Sequence, residues 1–451
     1  MTGTGMSDLQ IYLTLVIFAA VIAVIAFDLI DMVVAAMLGV CILLVAGILG
    51  EDDLVAAYGT ARGPIALLFG GMVVARVLAK TGIFERVGNL FLRATRGSGK
   101  RFLLLMLLLV GIICSVLPNA TTVILLAPVI IRVSQELEFD FISPVILTAI
   151  VSNSAGMLTL VGDPATFLVG NAIGMTFSQY LQKISLGGFL AVLTIIPLLP
   201  FLLPEIWRAP VKTDLKLVET RIEDPWFVAL ATSVLVLMVC LFFIGERLPN
   251  PIMPPSVAII GATLGLLVIY AVRIESPDKV IRDVDWKTLI FLSAIFCLVQ
   301  AFSKTGLLQG MGVTMNYWFG SNFMLVALAL LGGIGVMSCL LANIPVVAAA
   351  LVMTKGYFVV VDAVPEVALF PGFTDWPTST LPVFVALMFG GTLGGNATLI
   401  GASANIVGVG ICAQHGHHVS FGRFLRFGLP VTVAQLGISA LYIIGLTWLI
   451  H

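Results

Sequence analysis

The chain has 451 residues, of which 60% are apolar and only 10% charged, with 23 Lys and Arg against 24 Asp and Glu. Its mean hydropathy of +1.13 lies far from soluble domains, about a quarter of whose residues are charged. Water is therefore not its main solvent; no stretch is long and polar enough for a separate soluble domain, and charges confined to short loops form no basic face for nucleic acid.

The first apolar run, 11–27, is followed at once by Asp28 and Asp31 without a basic leader or small-residue cleavage site, and reads as a retained helix instead of a signal peptide. Apolar runs able to cross about 30 Å of hydrocarbon as helices place crossings at 9–27, 30–49, 63–80, 143–171 and 185–205. A second set is expected at 226–244, 255–272, 288–303, 378–411 and 428–450, after a cytoplasmic linker at 207–225. Two further stretches, 102–133 and 323–360, carry Pro118-Asn119 and Ala342-Asn343 at their centres and read as hairpins that enter and leave on one side. Backbone can turn at that depth only where protein or a watery cavity satisfies its amides, so each hairpin tip implies a site.

The halves repeat. Lys80-Thr81-Gly82 matches Lys304-Thr305-Gly306, Gly111 matches Gly335 and Asn119 matches Asn343, all 224 residues apart. Thr159-Leu160-Val161-Gly162 matches Thr398-Leu399-Ile400-Gly401 at a slightly larger offset, the insertion falling around Asp362 to Pro377. Five crossings, an odd number, separate equivalent elements, so the second half lies upside down relative to the first. The predicted fold is an all-α polytopic membrane protein of two inverted repeats, 1–206 and 226–451. Each repeat has a re-entrant hairpin and a discontinuous helix, at 143–171 and 378–411.

Basic residues give an independent orientation. One set of loops holds about sixteen, among them Arg86, Arg93, Arg132, Lys216, Arg221 and Arg423, and the opposite set holds Arg62, Lys183, Arg247 and Lys304. Lysine and arginine favour cytoplasmic loops, so the expectation is a multi-pass protein of the inner (plasma) membrane with both termini outside. The first hairpin then enters from inside and the second from outside.

Polar and small residues concentrate at membrane depth in four segments: 117–122, 152–166, 342–345 and 390–405. Glycine and proline interrupt the second and fourth, leaving free amides on one side of each break and free carbonyls on the other. Amide ends suit anionic or hydroxyl-rich solutes and carbonyl ends suit cations. Candidate solute-binding residues are Asn119, Thr121, Thr122, Ser152, Asn153, Gly156, Thr159, Asn343, Gly395, Asn396, Thr398, Ser403 and Asn405. A hydrated pocket is expected to join Asn119, Thr159, Asn343 and Thr398. Asp163, the only acid within the four segments, is the candidate proton carrier, and its plainer reading, a helix-capping or water-facing carboxylate, is the favoured one. Small residues also let membrane helices pack closely, but clustered amides and hydroxyls at duplicated breaks favour a transport site.

Other groups have plainer readings. Arg76, inside the third crossing, pairs with an acid or extends toward water, and Lys355 lies toward the outer end of the second hairpin. His415, His417 and His418 read as a solvated turn, so no metal site is expected. The six cysteines contain no CxxC pair and read as buried thiols. Cys114 and Cys339, beside the hairpin tips, could touch a thiol-seeking solute such as trivalent arsenic, though close packing is the favoured role.

At Ser152 to Tyr180, with its Thr-Leu-x-Gly-Asp-Pro run, and at Gly394 to Phe421, reading Gly-Gly-Asn-Ala-Thr-Leu-Ile-Gly-Ala-Ser-Ala-Asn, the chain resembles the ion transporter superfamily. That superfamily includes arsenite efflux permeases, the P-protein group, silicon efflux carriers and dicarboxylate and citrate carriers. The resemblance runs from about Pro64 to Pro430 and is most specific for the arsenite permease and P-protein branch. It implies a solute held between hairpin tips and helix breaks, a homodimer and, for the arsenite type, a cytoplasmic ATPase subunit as partner. Relatives carry Asp-Asn at each tip where this chain has Pro118-Asn119 and Ala342-Asn343, which weakens sodium binding and a sodium/proton antiporter.

The expected function is secondary active transport without a cofactor, first as an arsenite or antimonite efflux permease exchanging solute for protons. The alternative is a carrier for citrate, a dicarboxylate or another small anion; no Lys or Arg in the polar segments counts against it. An enzyme is not expected, because no metal-ligand spacing or nucleophile-base pair appears at one depth.

Overall fold

The computed structural model describes residues 7–26, 29–214, 224–369 and 373–450. Asp28, residues 215–223 of the expected linker with Lys216 and Arg221, and residues 370–372 of the inserted loop lie outside the described residues. The first half contains α1 (Asp8–Ala26), α2 (Met32–Val45), α3 (Glu51–Ala79), α4 (Ile83–Thr95), α5 (Gly99–Cys114) and α6 (Asn119–Glu136). It continues with α7 (Ile142–Ala155), α8 (Pro164–Ala172), α9 (Phe177–Lys183), α10 (Ser185–Leu193), α11 (Ile195–Leu202) and α12 (Pro204–Trp207). The second half contains α13 (Pro225–Ile244), α14 (Pro254–Val272), α15 (Pro277–Arg282), α16 (Trp286–Lys304) and α17 (Leu307–Phe319). After these come α18 (Phe323–Leu340), α19 (Asn343–Val360), α20 (Leu381–Gly394), α21 (Ser403–Gln414) and α22 (Phe421–Ile450). No strand occurs among the described residues.

The all-α inverted-repeat architecture is visible in reciprocal packing. α3 against α14 is answered by α16 against α2, α13 against α3 by α1 against α16, and α6 against α21 by α19 against α8. The last exchange interlocks the halves, each hairpin resting on the far segment of the other half's broken helix. Local geometry repeats too. Gly82 and Gly306 both adopt φ near +70° (71° and 72°), and Pro118 (φ −55°, ψ 144°) and Ala342 (φ −56°, ψ 138°) turn the two hairpins identically. Ala342 thus does without a ring what proline does by constraint.

Several boundaries differ from expectation. The third crossing begins at Glu51, not near 63, because Gly50 and the acidic turn Glu51, Asp52, Asp53 start the helix beyond the apolar run. The expected 185–205 crossing is divided into α10 and α11, with Pro197 and Pro200 removing backbone donors. The last crossing starts at Phe421. α4 and α17, after the third crossing of each half, were expected only as loops. At 13 residues each they are too short to span hydrocarbon, and α4 buries Gly88, Phe91, Leu92 and Thr95 along one face while Arg86 and Arg93 stay on the other.

Burial sorts the bundle. Every residue of α20 is buried, as are α7 residues from Pro144 to Ala155, whereas α1 and α13 expose Tyr12, Val16, Trp226 and Val236 on apolar outer faces. The first segments of the two broken helices, α7 and α20, are therefore the inner core, and α1 and α13 lie at the periphery.

Candidate functional site

Each break forms where the sequence forbids continuous helix. Gly156 closes α7, Thr159 is extended (φ −137°, ψ 162°), and α8 restarts with Asp163 capping it and Pro164 in its first position. In the other half Gly395 closes α20 and Ala402 is extended before Ser403 opens α21. Here glycine is required by contact. A Cβ on Gly162 would lie 2.6 Å from the Gly156 carbonyl oxygen and 2.7 Å from that of Cys114. One on Gly401 would lie 2.6 Å from Gly395 O and 2.8 Å from Ser338 O. Hairpin backbone presses on break backbone in both halves.

The hairpins are fastened by matching bonds. The Cys114 thiol donates to Ser152 O (2.7 Å), and the Ser338 hydroxyl donates to Gly391 O (2.5 Å). Thr159 Oγ1 donates to Ser115 O at 2.6 Å, and Thr398 Oγ1 donates to Cys339 O. Thr159 and Thr398 therefore hold the tips in place. Their hydroxyls are consumed by carbonyls that the hairpin turns leave free. Both cysteines serve packing: Cys339 donates to Gly335 O (3.1 Å) and Gly394 O (3.3 Å).

Asp163 lies where both hairpins and both broken helices meet. Its Oδ2 accepts from Thr166 N (3.0 Å) and Thr392 Oγ1 (3.1 Å); its Oδ1 accepts from Asn119 Nδ2 (3.4 Å) and Asn343 Nδ2 (3.5 Å). The carboxylate is fully buried, and among the described residues it is the group to which both tip amides donate. From it runs a chain of amides. Asn119 Nδ2 also donates to Asn153 Oδ1 (2.9 Å), and Asn153 Nδ2 donates to Thr392 O (2.6 Å) and Asn396 Oδ1 (3.0 Å). Asn396 Nδ2 donates to Ser154 Oγ and Gln435 Oε1, both 2.8 Å away. Gln435 Nε2 completes the chain on Ser154 Oγ (2.9 Å) and Ala191 O (3.1 Å). Buried amides so arranged are satisfied donor by acceptor, as interior polar groups must be.

The remaining candidates are dispersed. Asn405 Nδ2 donates to Gly395 O and Thr398 O (both 2.8 Å), holding the second break. Ser152 bonds Ala149 O within its own helix (2.9 Å), Thr122 is buried behind the first tip, and Ser403 is half-buried at the start of α21. Thr121 faces a cavity of about 340 Å³ beside the amide chain, walled by Met72, Ile124, Pro128 and Val407 and rimmed by Arg76, Arg132, Glu85, Asp283 and Asp285. Arg76 forms an ion pair with Asp283, so it joins an acid as one of its two expected fates. His415 and His417 rest against the ring of Phe141 (5.8 and 5.2 Å).

Sequence reading missed Ser154, Thr392 and Gln435 as members of the chain. Thr392 stood inside a recognised polar segment, and Gln435 was a lone amide in an apolar crossing, a signal in its own right because such a group needs a partner in hydrocarbon.

Comparison with known proteins places this geometry. Residues 15–370 match the CitMHS family, described as citrate transporter. An uncharacterized transporter of Synechocystis sp. is 42% identical over 445 residues, covering 97% of this chain and 98% of its own. One from Mycobacterium tuberculosis is 30% identical over 432 residues, covering 95% and 96%. The P protein of Homo sapiens is 25% identical over 521 residues, covering 98% of this chain and 60% of its own. Among solved structures, the YdaH transporter of Alcanivorax borkumensis superposes with a TM-score of 0.59 at 13% identity, over 89% of this chain and 90% of that one, a likeness of fold. Matched over most of its length by one family and across nearly all of it by close relatives, this multi-pass chain belongs to the citrate transporter family of membrane transporters.

Proposed function

We propose that the protein is a secondary transporter coupling the movement of a small carboxylate anion, such as citrate or a dicarboxylate, to a proton carried by Asp163. The observation that carries this reading is the position of Asp163, bonded at once to Asn119, Asn343, Thr392 and the start of α8. Adding or removing its proton changes which hairpin amides it can hold, so protonation is tied mechanically to the elements that open and close the site. Four helix N-termini, those of α6, α8, α19 and α21, begin at the tips and breaks, and the positive ends of their dipoles suit anionic oxygens. The family description supports the same solute class.

The arsenite or antimonite trihydroxide is the second reading. It is favoured by one observation: among the described residues no lysine or arginine touches the Asp163 centre, whose partners are amides, a hydroxyl and a backbone N–H. Export of that neutral solute against its gradient would use the same proton exchange, at the inner (plasma) membrane, and a cytoplasmic ATPase subunit or a second copy of the chain would be its partner.

The deciding experiment is flux into inverted vesicles with labelled citrate and labelled arsenite, with and without an imposed pH gradient. Gradient-dependent citrate movement is expected. Movement of neither solute in response to pH would refute proton coupling, and movement of arsenite alone would select the second reading.

A further inference from the structure

The second limbs of the hairpins, α6 and α19, each carry one cation deep along their length. Arg132 follows the tip Asn119 by 13 residues and Lys355 follows Asn343 by 12, which puts them about 20 Å and about 18 Å from the tips along the helix axes. Because both tips meet at Asp163 and the halves are inverted, the two cations lie on opposite sides of that centre at nearly equal depth. The amino-acid repeat does not match them as a pair, since the strict equivalents of Arg132 and Lys355 at the 224-residue offset are Gly356 and Ile131.

Among the described residues neither cation forms an ion pair with an acid. Lys355 is only 9% exposed and forms no ion pair or hydrogen bond among the described residues. Its Nζ stands 5.4 Å from the centre of the Trp376 ring, a weaker substitute for a carboxylate. Beside it on α19, the buried Thr354 hydroxyl is likewise without a hydrogen-bond partner. A buried ammonium without a counter-charge is among the costliest arrangements in a protein interior. Arg132 donates to Asn89 Oδ1 (2.6 Å) and lines the cavity that reaches Thr121. Of the acids around that cavity, Asp283 is held by Arg76 and Asp285 caps α16 through Thr288. That leaves Glu85 as the acid facing Arg132 across the rim.

We propose that Arg132 and Lys355 are paired stations for a carboxylate group of the solute, one on each side of the Asp163 centre, each lending the counter-charge that the centre itself lacks. The anion meets one station on entry and the other on exit. Meanwhile the amide chain between them remains uncharged apart from the proton-carrying acid. This inference rests on the carrier reading above and adds to it two binding subsites that the polar segments do not contain.

The test uses the full-length protein in two assays, of which only the second needs transport. Tryptophan emission is titrated with citrate, succinate and inorganic phosphate, with Trp376→Phe isolating the signal of the ring over Lys355. A saturable change with citrate or succinate is expected, lost in Trp376→Phe, weakened by about tenfold or more in Lys355→Gln and kept within about threefold in Lys355→Arg. In sided proteoliposomes, Lys355→Gln should raise the citrate KM from one face and Arg132→Gln from the other, with Glu85→Gln lowering it on the Arg132 side. Thermal melting confirms that each variant is folded, and Lys355→Arg supplies the reading if Lys355→Gln is not. No saturable emission change with any of the three anions would overturn the stations even if proton-driven flux is observed. So would equal KM shifts on both faces. A saturable Lys355-dependent change in a protein that moves no citrate would uphold the station and reject the carrier reading.

Discussion

Replacing Asp163 by asparagine removes a proton site while keeping shape. In the wild type the closer pair of donors, Thr166 N at 3.0 Å and Thr392 Oγ1 at 3.1 Å, holds Oδ2, so in Asp163→Asn the surviving carbonyl oxygen takes that position. The new NH2 group then faces the Asn119 and Asn343 amides, donors 3.4 and 3.5 Å away that previously shared Oδ1. Two long bonds to a charged acceptor are lost, costing about 1.5 kcal/mol each, while removal of a buried charge returns several kcal/mol of desolvation. The two effects oppose, so the variant is expected to fold and melt within about 8 °C of wild type. Transport separates more sharply. One pH unit is worth about 1.36 kcal/mol per proton, a tenfold concentration ratio, which the wild type should sustain and Asp163→Asn should reduce to none. The assay is uptake into proteoliposomes after a pH jump, using whichever of labelled citrate and arsenite the wild type carries, with Asp163→Glu as the acid-retaining comparison. A folded Asp163→Asn protein that still concentrates solute in response to pH would refute the reasoning.

Gly162→Ala and Gly401→Ala should each destabilise by about 3 kcal/mol and abolish transport, because the added Cβ meets backbone oxygen at 2.6 Å in both breaks. Gly332→Ala, with no atom within 4 Å of its Cβ, should leave detergent melting unchanged, and equal melting of all three would defeat the contact argument. Gln435→Leu removes the anchor of Asn396 and Ser154 and should lower stability by about 2 kcal/mol, read as a drop in melting temperature absent from Gln300→Leu. Outside the membrane, Lys279 first and then Lys80, both bonded to Glu275 Oε1 (2.7 and 3.0 Å), hold the Glu275 carboxyl below its ordinary range. A depressed carboxyl stabilises the fold above its unfolded pKa, and that contribution is lost as pH falls through the folded value. Melting of Glu275→Gln should therefore fall less than wild type between pH 5 and pH 3, about the range in which carboxylates titrate; parallel curves would contradict this assignment.

What could be read before the structure depended on the distance over which each interaction acts. Apolar runs, glycine and proline breaks and the repeated Asn119 and Asn343 are local or periodic signals, and they located the elements that meet at Asp163. Gln435 could not be assigned a partner, because Ser154 lies 281 residues away and only the packing of α22 against α7 brings them together. Thr159 and Thr398 were recognised as a pair, but their hydroxyls point to hairpin carbonyls, a choice made by backbone geometry. α4 escaped notice because its apolar face alternates with Arg86, Asn89 and Arg93, a pattern that reads as a basic loop when the search is for continuous hydrophobic runs.

The halves are unequal at one position with thermodynamic weight. Thr159 and Thr398 fix an offset under which the counterpart of Asp163 is Ala402, so the molecular pseudo-twofold carries a carboxyl group at this position in one half only. On the proposed mechanism this limits the stoichiometry to one proton per turnover at the crossing point, and an uncharged cargo can be accumulated about tenfold for each unit of pH difference. A steeper ratio has to draw on membrane voltage, worth about 2.3 kcal/mol per elementary charge per 100 mV, which acts only when the loaded and empty carriers differ in charge as they cross. The missing second acid therefore makes the valence of the cargo the variable that fixes how far uphill the carrier can work.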